Sequence, residues 1–429
     1  MGALARITSL PQHHVLTYAV LTLVILLTVL NSYHNLLTCS SANTSGINAA
    51  GISNSDILIV LQNGTVYKTH VSFFRAFSTL TANESLIIVL GTFKEHPALL
   101  ALFTDRTYHT ILYYVPAYTG ALFSGVVYEG SRVMGVGYIT FNDTYAGIVM
   151  HVNLEDRNAT ASVYVFSIPT YFRDVIIHDG EILVATGVGF SGKYYPAVTS
   201  ISGNNARLAA LNPSVGGLKG FAVKAMIILQ GNEPAVMAMR EEKIVLIQLT
   251  GGELRTYTLP TQRRFEDIVL VTHPNGVTTT VILNSTTPAI ITFPYMNTTL
   301  LPLASRYYLV TTNGSILALG AKYRILPIRW KSSRTTLENL NLKGFSVVEY
   351  TAKGKPISVS TSEASITIET IRPSIPGTPT TVHSLTSLNT TTTTGFTLVG
   401  SGEKKGLPLI IIGCVLVFAS FLLKRFLGV

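Results

Sequence analysis

The feature that most limits the fold is a succession of short β-like runs from about residue 53 to about residue 369, with almost no helix-period stretch among them. Residues 56–61 (DILIVL) lead into Asn63-Gly64 and then Thr65-Val66-Tyr67. Residues 243–249 (KIVLIQL) lead into Gly251-Gly252 and then 253–259 (ELRTYTL). Residues 307–312 lead into Asn313-Gly314 and then 315–319. Asn-Gly and Gly-Gly supply the positive φ angles of two-residue hairpin turns, so each stretch reads as strand, turn, antiparallel strand.

A longer repeat overlies the hairpins. An apolar-Pro pair recurs at Val115-Pro116, Ile168-Pro169, Leu259-Pro260 and Leu301-Pro302, and Leu211-Asn212-Pro213 joins the series. The two best copies begin at Ile168 and Leu259, and Phe172 and Asp174 in the first answer to Phe265 and Asp267 in the second. A unit of roughly 40 to 50 residues holding three or four strands matches one blade of a β-propeller. Proline suits the crossing between blades because it donates no ladder hydrogen bond. The expected fold is therefore all-β, a six- or seven-bladed propeller, with paired β-sandwiches as the alternative. Residues 345–371 read as a final hairpin that closes the ring or forms a small separate β unit.

Charged residues make up only 12% of the chain against 47% hydrophobic. A soluble domain typically carries roughly a quarter charged residues. The polar surface must then come from Ser, Thr, Asn and Tyr, which suits an exported exterior. The net charge of +9 is spread thinly, and no basic run exceeds the pairs Arg263-Arg264, Lys404-Lys405 and Lys424-Arg425. Nucleic acid is not an expected partner. The two cysteines, Cys39 and Cys414, lie near the ends, so the middle of the chain has neither a disulfide nor a thiolate metal site.

Residues 15–30 form an uncharged apolar segment, a signal peptide or a short signal anchor. Residues 407–423 form a second, followed at once by Lys424 and Arg425, which read as a basic stop on the cytoplasmic side. Before it, residues 371–403 are rich in Thr, Ser and Pro and read as an extended stalk. The expected order is signal or anchor helix (1–34), linker (35–52), β domain (53–370), stalk, and C-terminal transmembrane helix with a basic end (404–429). Sequons begin at Asn43, Asn63, Asn83, Asn142, Asn158, Asn284, Asn297, Asn313 and Asn389. That is about twice the number chance would place in so Ser/Thr-rich a chain, and it points to a glycosylated surface.

This layout resembles exported, membrane-anchored surface proteins of archaea with a propeller-like ectodomain. The likeness lies in the order of segments and carries no diagnostic motif. It implies a location at the cell membrane, with the bulk of the chain on the extracytoplasmic face, and no particular activity.

Motifs for chemistry are sparse. Gly187-Val188-Gly189-Phe190-Ser191-Gly192 fits G-x-G-x-x-G, but Pro196 follows closely and no helical period opens there, so it reads as a hairpin loop and no cofactor is assigned. The histidines lack metal-ligand spacing, and no paired-carboxylate motif is visible, so no catalytic or metal residue is assigned. Tyr113-Tyr114, Tyr118 and Tyr194-Tyr195 lie near expected loops. Such rings either fill a low-charge β protein or stack against sugars or a protein partner. The leading expectation is a surface module for recognition, adhesion or envelope structure. The alternatives are a membrane-tethered hydrolase of glycans or peptides, and a solute-binding receptor. A cluster of carboxylates or histidines at a central pocket would favour the hydrolase, and a Tyr-lined face would favour recognition.

Overall fold

A computed structural model of the chain describes residues 46–371 apart from 105–107, 191–192, 212–217, 241–242, 251–252, 260–266, 273–278, 285–288, 301–305, 313–314, 327–331 and 343–345. The apolar segments at 15–30 and 407–423 and the stalk lie outside the described residues. No helix among the described residues is long and apolar enough to cross a membrane.

The described chain is all-β. Strands β1 (Ile47–Ser53), β2 (Asp56–Leu61) and β3 (Val66–Val71) come first. Five four-stranded antiparallel meanders follow. The first is β4 (Phe74–Asn83), β5 (Leu86–Phe93), β6 (His96–Phe103) and β7 (His109–Tyr114). The second is β8 (Gly120–Tyr128), β9 (Arg132–Phe141), β10 (Thr144–Asn153) and β11 (Asn158–Tyr164). The third is β12 (Thr170–His178), β13 (Glu181–Phe190), β14 (Lys193–Ser202) and β15 (Asn205–Leu211). The fourth is β16 (Ala222–Leu229), β17 (Glu233–Arg240), β18 (Lys243–Thr250) and β19 (Glu253–Leu259). The fifth is β20 (Asp267–Thr272), β21 (Thr279–Asn284), β22 (Ala289–Phe293) and β23 (Asn297–Leu300). Their first strands touch in succession, β4 to β8 to β12 to β16 to β20, and β20 returns to β4. The arrangement is propeller-like with five blades.

Five blades replace the expected six or seven. The reason is that the first three strands do not form a meander of the same design. They share one sheet with β24 (Tyr307–Thr311), β25 (Ile316–Leu319) and β26 (Ile325–Leu326), because β1 pairs with β24 from the far end of the domain. The domain also starts earlier than expected: β1 opens at Ile47, inside the expected linker. Pro116 and Pro169 do lie in connections between blades, and the two best repeat copies each open a meander, at β12 and β20. The other three prolines of the series lie outside the described residues.

The cores lie between blades. Ile88 and Leu99 of the first blade meet Leu122 and Ile148 of the second. Val136 and Val149 of the second meet Phe172 and Val184 of the third. Ile176 meets Met226 across the third and fourth, and Ile227 meets Phe293 across the fourth and fifth. The first sheet packs on blade one through Ile57, Ile59, Ile87 and Leu100. Both faces of an inner strand are covered, so stretches such as 86–90 are continuously apolar where a half-exposed strand would alternate. Each such side chain stabilises by about 1.5–3 kcal/mol when fully buried.

The last part of the chain is neither hairpin nor separate unit. It runs backward round the ring and adds an outer strand to sheet after sheet. β27 (Ser332–Arg334) pairs with β23, and β28 (Glu338–Asn339) pairs with β19. β29 (Val347–Ile357) pairs first with β15 and then with β11, joining blades three and two into one sheet. β30 (Ser360–Ser362) pairs with β7 and β31 (Ile366–Ile371) with β3. The expectation for 345–371 is corrected on this point. The belt covers strand edges that would otherwise offer unpaired backbone groups to other chains.

Candidate functional site

Strand direction assigns every turn to one end of the ring. Within each blade, the turns between strands one and two, and between three and four, fall at one end. The turn between strands two and three, and the connections between blades, fall at the other.

At this second end each of the first four blades carries the same irregularity. Register slips in β4 between Ala76 and Ser78, in β8 between Leu122 and Ser124, in β12 between Phe172 and Asp174, and in β16 between Val223 and Ala225. The extra residues are Phe77, Phe123, Arg173 and Lys224. A bulge leaves its extra residue outside the ladder and re-aims the side chain. The corresponding position of blade five, Glu266, lies outside the described residues.

Three of these residues, Phe123, Arg173 and Lys224, line a cavity of about 300 Å³ together with Tyr138, Tyr145, Tyr171, Tyr194 and Val223. Its rings form two contacting groups. Phe123 stacks on Tyr138 at 5.5 Å, and Tyr138 meets Tyr145 edge-on at 5.2 Å. Tyr171 meets Tyr194 edge-on at 5.3 Å. The Arg173 guanidinium lies 4.5 Å from the Phe123 ring centre, a cation–π contact. Burial pushes the Tyr138, Tyr171 and Tyr194 hydroxyls up from the usual phenol range, so they remain protonated donors at neutral pH.

Behind the cavity the Asp174 carboxylate is wholly buried. It accepts the Ser124 hydroxyl from blade two, the Met226 N–H from blade four at 2.8 Å and its neighbour Val175 N–H at 3.0 Å. One side chain therefore ties three blades together beside the Arg173 bulge. Burial pushes Asp174 up to about 6.

The G-x-G-x-x-G stretch serves this cavity in a different way from a cofactor loop. Gly187 to Phe190 lie in strand β13 and β14 opens at Lys193, so the expected hairpin loop is corrected for these residues, and no helix starts there. The Tyr171 ring lies so close over Gly187 that any Cβ would overlap it. Of the five tyrosines singled out from the sequence, Tyr194 lines the cavity, whereas Tyr113 and Tyr195 are buried in inter-blade cores. Phe123, Tyr138, Tyr145, Tyr171, Arg173 and Lys224 were missed; the residue between Phe172 and Asp174 in the repeat was the available signal.

Among the described residues no group of three His, Cys, Asp or Glu side chains is placed to hold a metal ion. The sequon residues Asn63, Asn83, Asn142, Asn158 and Asn297 are all exposed. Asn284 ends β21, and Asn43, Asn313, Asn389, Lys424 and Arg425 lie outside the described residues.

Charge divides between the two ends. The cavity end carries exposed Lys94, Lys193, Lys219, Arg240 and Lys243, with Glu95 and Asp143. The opposite end carries exposed Glu84, Glu129, Glu155, Asp156, Asp179 and Glu181, with Arg132, Arg157, Arg207 and Lys353. Chain entry and exit are at the acidic end. Ile47 N–H donates to Glu84 O at 2.7 Å, Gly46 O accepts from Gln62 N–H at 2.9 Å, and Ile371 pairs with Val66 just past the Gln62 turn. No protein-family model matches this sequence, and no curated protein matches it either.

Proposed function

We propose that the protein is a membrane-anchored, extracytoplasmic, glycosylated surface module for recognition, adhesion or envelope structure, and that the cavity end is its working face. The observation that carries this reading is the cavity wall: five aromatic rings and two cations, with no carboxylate or imidazole among the described lining residues. Glycoside hydrolysis by the usual route needs two carboxylates flanking the bond, and these residues do not supply them. Aromatic rings with protonated hydroxyls are suited to holding a ligand.

The position of the chain ends supports the same reading. Both Gly46 and Ile371 leave the domain opposite the cavity. With residues 15–30 and 407–423 as membrane segments and 371–403 as a spacer, both connections to the β domain are made at its acidic end and none at the cavity end. The exposed sequons agree with an exported surface.

The test has two parts. In a chain with Cys39 and Cys414 replaced by Ser, Asp143→Cys at the cavity rim should react with a membrane-impermeant maleimide on intact cells. Absence of labelling, with labelling restored on lysis, would sink the proposed location. Full-length protein should also bind members of a glycan and peptide panel in a way that Tyr194→Ala weakens. Turnover of panel members that is sensitive to Tyr194→Ala would instead establish the hydrolase.

A further inference from the structure

We infer that the cavity takes an anionic carbohydrate, a pyranose chain bearing acid groups, with Tyr171 and Tyr194 against the sugar ring and Lys193 and Lys219 on the acid group. This rests on the recognition reading above and adds the ligand class.

The first argument is the placement of two ammonium groups. Lys193 opens β14 immediately before Tyr194, and Lys219 precedes Gly220, whose N–H donates to Tyr194 O at 3.3 Å. Both lysines are exposed at the cavity end, beside the strand and connection that flank the lining residue Tyr194. They stand close enough for Lys219 to lower the proton affinity of Lys193. Two neighbouring like charges are relieved by an anion bound between them, and a carboxylate or sulfate fits that role as a charge-assisted acceptor. The second argument is the segregation of charge. Exposed carboxylates outnumber cations at the end where the described chain begins and stops, and cations outnumber carboxylates at the cavity end, so the field of the domain favours a polyanion at the cavity end.

The third argument separates carbohydrate from other polyanions. Tyr145 and Tyr194 are 40% and 39% exposed, so each keeps part of its ring open beside a half-buried partner ring. Paired Tyr rings offer apolar faces to sugar C–H groups and hydroxyl donors to sugar oxygens. Single-stranded nucleic acid needs a charged groove tracking roughly 4–16 nucleotides. A cleft of about 300 Å³ is too short for that.

The experiment uses full-length protein in nanodiscs of neutral lipid. Its probes are a galacturonic acid hexamer, the fully methyl-esterified hexamer, a polyglutamate peptide and an oligothymidylate. The acid hexamer should bind about ten-fold tighter than its ester, a difference of about 1.4 kcal/mol. That margin should shrink with added salt. Lys193→Gln with Lys219→Gln should erase the margin by weakening acid binding about ten-fold, to the level of the ester. Tyr194→Ala should weaken acid and ester alike. The lysines are exposed, so the double variant should melt like the parent.

Equal binding of acid and ester, with Tyr194→Ala weakening both, would overturn the anionic ligand and leave the recognition reading standing. Tighter binding of polyglutamate or oligothymidylate would overturn it in favour of a peptide or a nucleic acid. No binding of any probe would overturn it as well, and the panel with its Tyr194→Ala control then decides the recognition reading separately.

Discussion

Ser124 on β8 donates its hydroxyl to the carboxylate of Asp174 on β12, and the same carboxylate accepts the Met226 N–H on β16. The inner strands of three consecutive blades meet on one buried acid. Its folded pKa of about 6 lies above the ordinary 3.8, so folding favours the protonated form. The stability from this group is complete below about pH 4 and is lost as pH rises through about 6, by about 3 kcal/mol in all. The stability of wild type relative to Asp174→Asn should therefore fall by that order between pH 4 and pH 7, read by denaturant unfolding at each pH. A pH-independent difference would show that the acid is not buried in the folded protein. Asp174→Ala should cost about 3 kcal/mol, because a hydroxyl and two backbone N–H groups lose their acceptor.

Gly187→Ala should damage the cavity. The new methyl would overlap the Tyr171 ring, which must swing away from its edge-on contact with Tyr194. Overpacking of this kind costs about 1–3 kcal/mol. Gly189→Ala is the control, since its Cβ would meet Pro169 at 3.2 Å and a small shift relieves it. A lower melting temperature and weaker ligand binding in the first variant, with near-normal values in the second, is the expected pattern.

The belt has a weak point at Gly354. Lys353 pairs with Asn205 of blade three, and Gly354 pairs with Tyr164 of blade two. Gly354 N–H donates to Asn204 O at 2.8 Å, and a Cβ there would collide with the Asn204 side chain. Gly354→Pro removes the donor and adds the clash. In hydrogen exchange, β11 and β15 should lose protection together while β5 and β6 keep theirs. Unchanged exchange at both β11 and β15 would mean that the belt does not hold the blades.

Tyr113 is fully buried and its hydroxyl has no hydrogen-bond partner. Tyr113→Phe should therefore be neutral or stabilise by up to about 1 kcal/mol, because an unsatisfied buried hydroxyl costs rather than contributes. A clear loss in thermal melting would reveal a partner for that oxygen.

The parts of the fold legible in the sequence are those with a local cause. Asn63-Gly64 marks the turn between β2 and β3, and Asp179-Gly180 turns with φ of 48° and 79° between β12 and β13. Phe172 and Asp174 marked an inner strand because the repeat carries them. Other turns gave no such warning. Lys94 and Glu95 turn with φ of 49° and 69° without a glycine, held by ladders on either side. The belt was misread because β29 and β31 look like any short strand pair, and their partners, β15 and β3, lie far away in sequence.

Turn residues, strand runs and inter-blade prolines act over a few residues, and from them an all-β domain of repeated meanders between two apolar segments can be read directly. The number of blades, the reverse course of the belt and the make-up of the cavity emerge when the strands are paired and packed. The first two depend on pairing between strands distant in the chain, and the cavity depends on the register of neighbouring strands and on how blades pack. Arg173 faces the cavity and Asp174 is buried behind it because β12 slips against β13 between Phe172 and Asp174; the repeat marks the position, and only the ladder shows the slip.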